Sequence, residues 1–341
     1  MILKRALQFL VSLGLMALFL YWAFRGTDTA ALRNSLWQIS LPWVLVLLGI
    51  TCVTVLLRAW RWQLLMRPFA PGVTLWDTSL ALVICYAANI GIPRSGEALR
   101  ALSLNWTRGL PVTSVVATVV VERILDLVWL IVFVGLSLLV LRGRLDQAFP
   151  LLAPLSLIAL LGCIVLLAGL VLISLYRERA LAIVGRLLGR VSPALATRVC
   201  GLLETFTHGL EALHSPTVYA EIALSSFLLN LGYALIIYAA FSCFAETAGL
   251  GLGAAVVIMT LSSIGVIIPT PASAGPYHFF FSQGLHQLYG VPEPAALACA
   301  TATHALATLF YLLVGGPALW MQWPGRHTQV SPEPPRPRGE R

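Results

Sequence analysis

The sequence predicts an all-α integral membrane protein with about six full transmembrane helices and two re-entrant helical hairpins in an inverted repeat. Three observations lead there. Hydrophobic residues fill 59% of the 341 positions and charged residues 11%, where a soluble domain carries about 25% charge, and mean hydropathy is +0.87. At least six apolar stretches approach the roughly 20 residues needed to cross a hydrocarbon core about 30 Å thick. Two further apolar stretches are shorter, and each runs into a loop broken by proline and glycine.

The first span covers 6–24. Its basic start, Lys4 and Arg5, is like that of a signal peptide, but Trp22-Ala23-Phe24-Arg25 has no small-residue cleavage site, so the segment is read as retained. The second span, 42–62, closes on Arg58-Ala59-Trp60-Arg61-Trp62. Basic and aromatic residues together mark the headgroup level, and anchoring is the expected role. A short stretch, 75–92, leads into IGIPRSGE (90–97), giving a re-entrant unit over about 75–106. Full spans follow at 112–141 and 151–175. Residues 176–216 differ: Arg177, Arg179, Arg186, Arg190 and Arg198 alternate with Glu178, Glu204 and Glu211, as in a solvated or interfacial helical hairpin. Another span, 217–244, precedes a second short stretch, 254–268, which enters IIPTPASAGPYH (267–278) and forms a unit over about 254–288. The last span is 295–323. Residues 1–323 thus read as one polytopic membrane domain, and the proline-rich tail 324–341 as disordered.

Charge sets the expected topology. With the N-terminus, the arginine-rich hairpin and the tail in the cytoplasm, fourteen basic residues lie inside against four outside (Arg25, Arg33, Arg142, Arg144). Parity then requires that 75–92 and 254–268 each enter and leave on one side, the first from the cytoplasm and the second from outside. The bacterial cytoplasmic (inner) membrane, with both termini cytoplasmic, is the expected location. The two units also match in spacing: Gly109-x-Pro111 precedes Arg123 as Gly290-x-Pro292 precedes His304, by fourteen residues from the glycine. Broken segments in corresponding positions of two inverted halves point to a transporter's midplane site, although proline and glycine also kink ordinary packed membrane helices.

Three constellations can carry chemistry. In Arg94-Ser95-Gly96-Glu97-x-x-Arg100, Ser95 is placed to cap a short helix with Glu97 in its first turn, and the two arginines offer planar forks for phosphate. The bland alternative is an interfacial loop. Glu122, Arg123 and Asp126 lie mid-span, where each charge costs about 2.5–3.5 kcal/mol unless paired or hydrated. They suit a headgroup or proton site, or a structural ion pair. In Ser273-Ala274-Gly275-Pro276-Tyr277-His278, Ser273 is placed to cap a half-helix whose positive end welcomes an anion. His278 and His304 then hold phosphate, relay protons, or simply sit hydrogen-bonded in the core.

The cysteines, Cys52, Cys85, Cys163, Cys200, Cys243 and Cys299, lack paired spacing and read as small apolar residues, not disulfides or metal ligands. Basic residues gathered at helix ends suit anionic lipid, so no nucleic-acid partner is expected. No phosphate-cradling glycine loop, HExxH or GxSxG occurs; no cofactor is expected.

RAWRWQLLMRP (58–68), NIGIPRSGEALRALSL (89–104), GLPVTSVVATVVVERILDL (109–127) and IPTPASAGPYHFFF with YGVPEPAALACATATH resemble the lysylphosphatidylglycerol synthase transmembrane-region family, a flippase-like domain. The resemblance covers most of 1–323 and implies movement of a lipid headgroup across the membrane. The soluble synthase domain of the best-understood relatives is not seen in this sequence, so aminoacyl transfer is not expected. Many relatives carry Glu and Arg where this chain has His278 and His304, which bears on the substrate. The expected function is therefore a lipid flippase with membrane lipids, an anionic phospholipid or polyprenyl-phosphate lipid, as partners. Arg94, Arg100 and Arg123 would bind phosphate, and Glu97, Glu122 and Asp126 would orient them. Ser273, Gly275, Tyr277, His278 and His304 would line the opposite half. The rivals are a membrane enzyme acting on a lipid-linked substrate and an accessory protein of a lipid-synthesis complex. A second copy of the chain or a lipid-biosynthesis enzyme stays open as a protein partner.

Overall fold

The structure is a computed structural model and describes residues 2–141, 152–190, 192–208 and 216–323. Arg142, Arg144, Glu211 and the tail lie outside the described residues. Among the described residues there is no strand.

Helix α1 (Ile2–Phe24) turns by 90° into a short helix, α2 (Thr29–Trp37). The start of α2 is fixed by Asp28, whose carboxylate accepts from the amides of Ala30 (2.8 Å) and Ala31 (3.2 Å), satisfying donors that a helix N-terminus leaves open. Next come α3 (Leu41–Met66), α4 (Leu75–Gly91), α5 (Ser95–Arg108) and α6 (Val112–Leu141). Helix α7 (Leu152–Leu175) coincides with the expected fourth span. The arginine-rich region forms two helices packed together, α8 (Arg177–Gly189) and α9 (Pro193–His208), joined by an Arg177–Glu204 ion pair at 2.6 Å. The chain then repeats its pattern as α10 (Pro216–Ser242), α11 (Leu252–Ile267), a 3-10 turn at Pro271–Ser273, α12 (Pro276–Tyr289) and α13 (Glu293–Gln322).

Helices α3, α6, α10 and α13 are long and apolar enough to cross a membrane, and the bent pair α1–α2 makes a fifth candidate among the described residues. Their outer faces carry exposed large apolar side chains, including Leu10, Leu45 and Leu139. An apolar surface of this extent has lipid as its solvent. Helices α4 and α11 hold 17 and 16 residues. At a rise of 1.5 Å per residue each is about 25 Å long, short of the core thickness. Each is followed by a break and a 14-residue helix that packs back against it, as expected of re-entrant hairpins.

The two halves keep a constant register. The glycines that end α5 and α12, Gly109 (φ 67°) and Gly290 (φ 69°), are both left-handed and stand 181 residues apart (290 − 109). The residues just before those helices, Arg94 (φ 61°) and Gly275 (φ 91°), keep that offset and also have positive φ. Helices α6 and α13 are each 30 residues long. The offset pairs Glu97 with His278 and Arg123 with His304. Packing follows the same symmetry: α4 lies on α13 and α11 on α6, while α3 and α10 pack on each other. A Cβ on Gly315 of α13 would press on the carbonyl of Val83 and lie 2.7 Å from the Ala87 Cβ. One on Gly232 of α10 would lie 2.5 Å from Thr54 of α3. The interfaces across the repeat are therefore close.

Cys85, Cys243 and Cys299 are buried as expected, Cys200 is half-buried, and Cys52 is exposed on the outer surface of α3; all five are free thiols.

Candidate functional site

Charged side chains from three helices meet beside the first break. Helix α3 contributes Arg58 and Arg61, α5 contributes Glu97 and Arg100, and α6 contributes Glu122, Arg123 and Asp126. Spacings of three and four residues put each helix's members on one face. Glu122 is fully buried and sits at the centre. It accepts from Arg58 Nε at 2.7 Å and Arg100 Nη1 at 2.8 Å, with Arg61 Nη2 at 3.5 Å. Asp126 accepts from Arg58 Nη2 at 2.6 Å and from Arg61 Nη2. Arg58 also donates to the Tyr233 hydroxyl of α10 at 3.0 Å. Arg100 stacks over the ring of Trp62, 4.7 Å from its centroid, and that indole donates to Thr118 at 3.0 Å.

The cluster has a closed side and an open edge. Arg61, Arg100 and Glu122 have no exposed surface. Arg123 is different: its side chain is 45% exposed, beside Glu97 at 28% and Asp126 at 26%. Arg123 Nη2 pairs with Glu97 at 2.7 Å, while the expected partner three residues along, Asp126, is farther away at 3.5 Å. Four guanidinium groups face three carboxylates, leaving a formal charge of plus one. Among the described residues, Nε and Nη1 of Arg61, Nε and Nη2 of Arg100 and Oε2 of Glu97 are buried without a hydrogen-bond partner.

Three expectations are corrected here. Arg58, Arg61 and Trp62 are not headgroup-level anchors; they are buried members of this network. Helix α3 runs on to Met66, which carries Arg58 two turns inside it. Ser95 does not cap α5: it is the first helical residue, and its hydroxyl donates backward to Ile92 (2.8 Å) and Ala88 (3.2 Å). The cap comes from Asn89 on α4, which accepts from the Gly96 amide at 2.8 Å. Ser273 does not cap α12 either. It lies in the 3-10 turn at φ 60°, and the cap position is Gly275, where a Cβ would lie 2.7 Å from the Met16 carbonyl of α1.

A family model described as the lysylphosphatidylglycerol synthase TM region matches residues 6–315. The chain belongs to that family. No curated protein and no solved structure matches it. All eleven residues singled out from the sequence fall inside the matched range.

In this member of the lysylphosphatidylglycerol synthase transmembrane-region family, the second break builds a contrasting site. The rings of His278 and His304 stand 4.7 Å apart, and Tyr277 lies 5.3 Å from His304. His304 Nε2 lies 2.8 Å from the Ala272 carbonyl, so it carries the proton there. His278 Nδ1 accepts from the Gly275 amide at 3.4 Å, so it carries none. The two breaks touch. Arg94, exposed and in a left-handed conformation, donates through Nη2 to the Ile267 carbonyl at 3.0 Å, and α4 packs on the 3-10 turn. Tyr86 of α4 and Tyr311 of α13, ring centroids 4.4 Å apart, line the interior between the halves. Glu97, Arg100, Glu122, Arg123 and Asp126 thus meet in one charged group, and Tyr277, His278 and His304 in a second, aromatic one; Arg94 stands outside the charged group, on the Ile267 carbonyl, and Ser273 and Gly275 contribute the turn and the cap position before α12. Among the described residues no cluster of three or more His, Cys, Asp or Glu suits a metal ion.

Proposed function

We propose that this protein is a transporter that moves a phosphate-bearing lipid headgroup across the bilayer, with the arginine–carboxylate cluster as the headgroup site. It works in the cytoplasmic membrane with both termini inside, acts on membrane lipids, and carries out no covalent chemistry. The observation that carries this reading is the open edge at Arg123. A purely structural ion-pair lock inside a membrane would be best sealed and charge-balanced, because each uncompensated charge is costly there. This cluster instead has an excess guanidinium and presents its most exposed arginine beside two half-open carboxylates. A phosphate diester supplies the missing negative charge and matches the planar guanidinium fork. The contact between the two breaks supports a passage shared by both halves.

The test is Arg123→Ala in proteoliposomes holding a fluorescent phosphate-bearing lipid. Headgroup translocation should be lost while membrane insertion and folding persist. Translocation at the unaltered rate would overturn the role.

A further inference from the structure

Resting on that reading, we infer that the lipid carried has an uncharged, hydroxyl-bearing headgroup on its phosphate, and that cationic headgroups such as aminoacylated or amine-bearing ones are rejected. The argument is a balance of donors and acceptors. An ammonium group is a donor only and needs oxygen acceptors around it. The carboxylates of the cluster offer few. Both oxygens of Glu122, both of Asp126 and Oε1 of Glu97 already receive guanidinium donors. The one carboxylate oxygen left is Glu97 Oε2. Against it stand four guanidinium nitrogens with no partner, two on Arg61 and two on Arg100, on the closed side of the cluster that a headgroup reaches past the open edge at Arg123. Unpartnered donors outnumber unpartnered acceptors, so the complementary ligand is rich in acceptors. Phosphate and hydroxyl oxygens fit, and a hydroxyl proton can serve Glu97 Oε2.

The second half leads to the same conclusion. At the positions equivalent to Glu97 and Arg123 stand His278 and His304. Where the first half has a carboxylate, the second has a neutral imidazole, since His278 Nδ1 accepts a backbone proton and leaves Nε2–H as a donor. Tyr277 stands beside the two histidines, its ring tilted 42° to that of His304 and 83° to that of His278. Aromatic rings of this kind pack against the C–H surface of a sugar or glycerol, and His278 Nε2–H is a donor for a hydroxyl. This group holds no carboxylate to offset an ammonium. A site already at plus one, with no acid on its second wall, disfavours a cationic guest by like-charge repulsion in a low-dielectric setting.

The unaltered protein in proteoliposomes provides the test, with three fluorescent probes offered side by side: phosphatidylglycerol, a glycosylated polyprenyl phosphate, and lysyl-phosphatidylglycerol. At least one of the two uncharged-headgroup lipids should cross at least tenfold faster than the lysyl lipid. The double variant His278→Glu, His304→Arg, which copies the first half's pair, should narrow that ratio. Entrapped radiolabelled glycerol 3-phosphate distinguishes a lipid from a free phosphate ester and should stay inside the vesicles. Equal or faster passage of the lysyl lipid overturns the inference and leaves the transport reading standing. Failure of all three lipids to cross overturns the transport reading itself. Release of glycerol 3-phosphate without lipid movement overturns the assignment to a lipid.

Discussion

Arg123 of α6 pairs with Glu97 of α5 at 2.7 Å, and 181 residues later His304 of α13 faces His278 of α12 with ring centroids 4.7 Å apart. The same two backbone positions are used in both halves. In one they hold a charged pair, in the other a neutral one. The site is therefore built symmetrically in its backbone and asymmetrically in its charge, which lets separate measurements address stability and transport.

The two acids on either side of Arg123 should differ sharply when neutralised. Glu122→Gln strips charge from a buried carboxylate with three arginines around it, and breaking a buried pair from one side costs about 3–5 kcal/mol. Thermal unfolding in detergent should shift down strongly. Glu97→Gln acts on a half-exposed pair, worth about 1 kcal/mol or less, yet it should reduce headgroup translocation. Equal stability losses in the two variants would sink the division into a sealed side and an open edge.

Two adjacent glycines offer a cleaner contrast. Gly315→Ala places a methyl against the Val83 carbonyl and the Ala87 side chain, and overpacking of this kind costs about 1–3 kcal/mol. At Gly316 nothing lies within 4 Å of the added Cβ, and alanine in a helix interior is favoured over glycine by roughly 0.5–1 kcal/mol. Unfolding curves should move in opposite directions. If Gly315→Ala leaves stability unchanged, α4 and α13 are not in close contact there.

The plate beneath Arg100 can be tested through its hydrogen bond. Thr118→Val leaves the buried Trp62 N–H without its 3.0 Å partner, at a cost of about 1–3 kcal/mol. Trp62→Phe removes the donor and keeps an aromatic ring under the guanidinium. Adding Trp62→Phe to Thr118→Val should therefore destabilise by less than the sum of the two single changes. Strict additivity of the unfolding free energies would argue that the bond does not exist.

Asn89→Ala removes the side chain that caps α5 from the neighbouring helix, and a lost cap costs about 1 kcal/mol. Ser95→Ala should cost less, because its hydroxyl only returns to carbonyls of the preceding turn. The opposite order, read from the same unfolding assay, would restore Ser95 as the cap.

Both breaks and their matched spacing were legible in the sequence because proline and glycine punctuate them: Pro93 and Gly96 in one, Pro269 to Pro276 in the other, with Gly109 and Gly290 ending the short helices. The three charges on α6 were legible because charge inside an apolar run stands out. Arg58 and Arg61 were not. Two arginines among two tryptophans at the end of an apolar stretch also describe an interfacial belt, and only the continuation of α3 to Met66 separates the readings. The serine caps were misplaced for a related reason. Local sequence offers a hydroxyl at each break, but the left-handed residues Arg94 and Gly275 take the cap positions, and Asn89 satisfies the open amide at Gly96 from the neighbouring helix. Helix α2 is not legible in the sequence, because nine residues of modest apolarity carry little periodic signal.

Since α4 rests on α13 and α11 rests on α6, each half lends the other the wall that shelters its interrupted segment. A fragment ending near residue 141 would leave α4 facing lipid with its broken backbone unsheltered, a condition the hydrocarbon interior does not tolerate. Neither half is therefore expected to fold by itself, and the smallest competent assembly should be the pair, on one polypeptide or as two co-produced pieces that meet in the membrane.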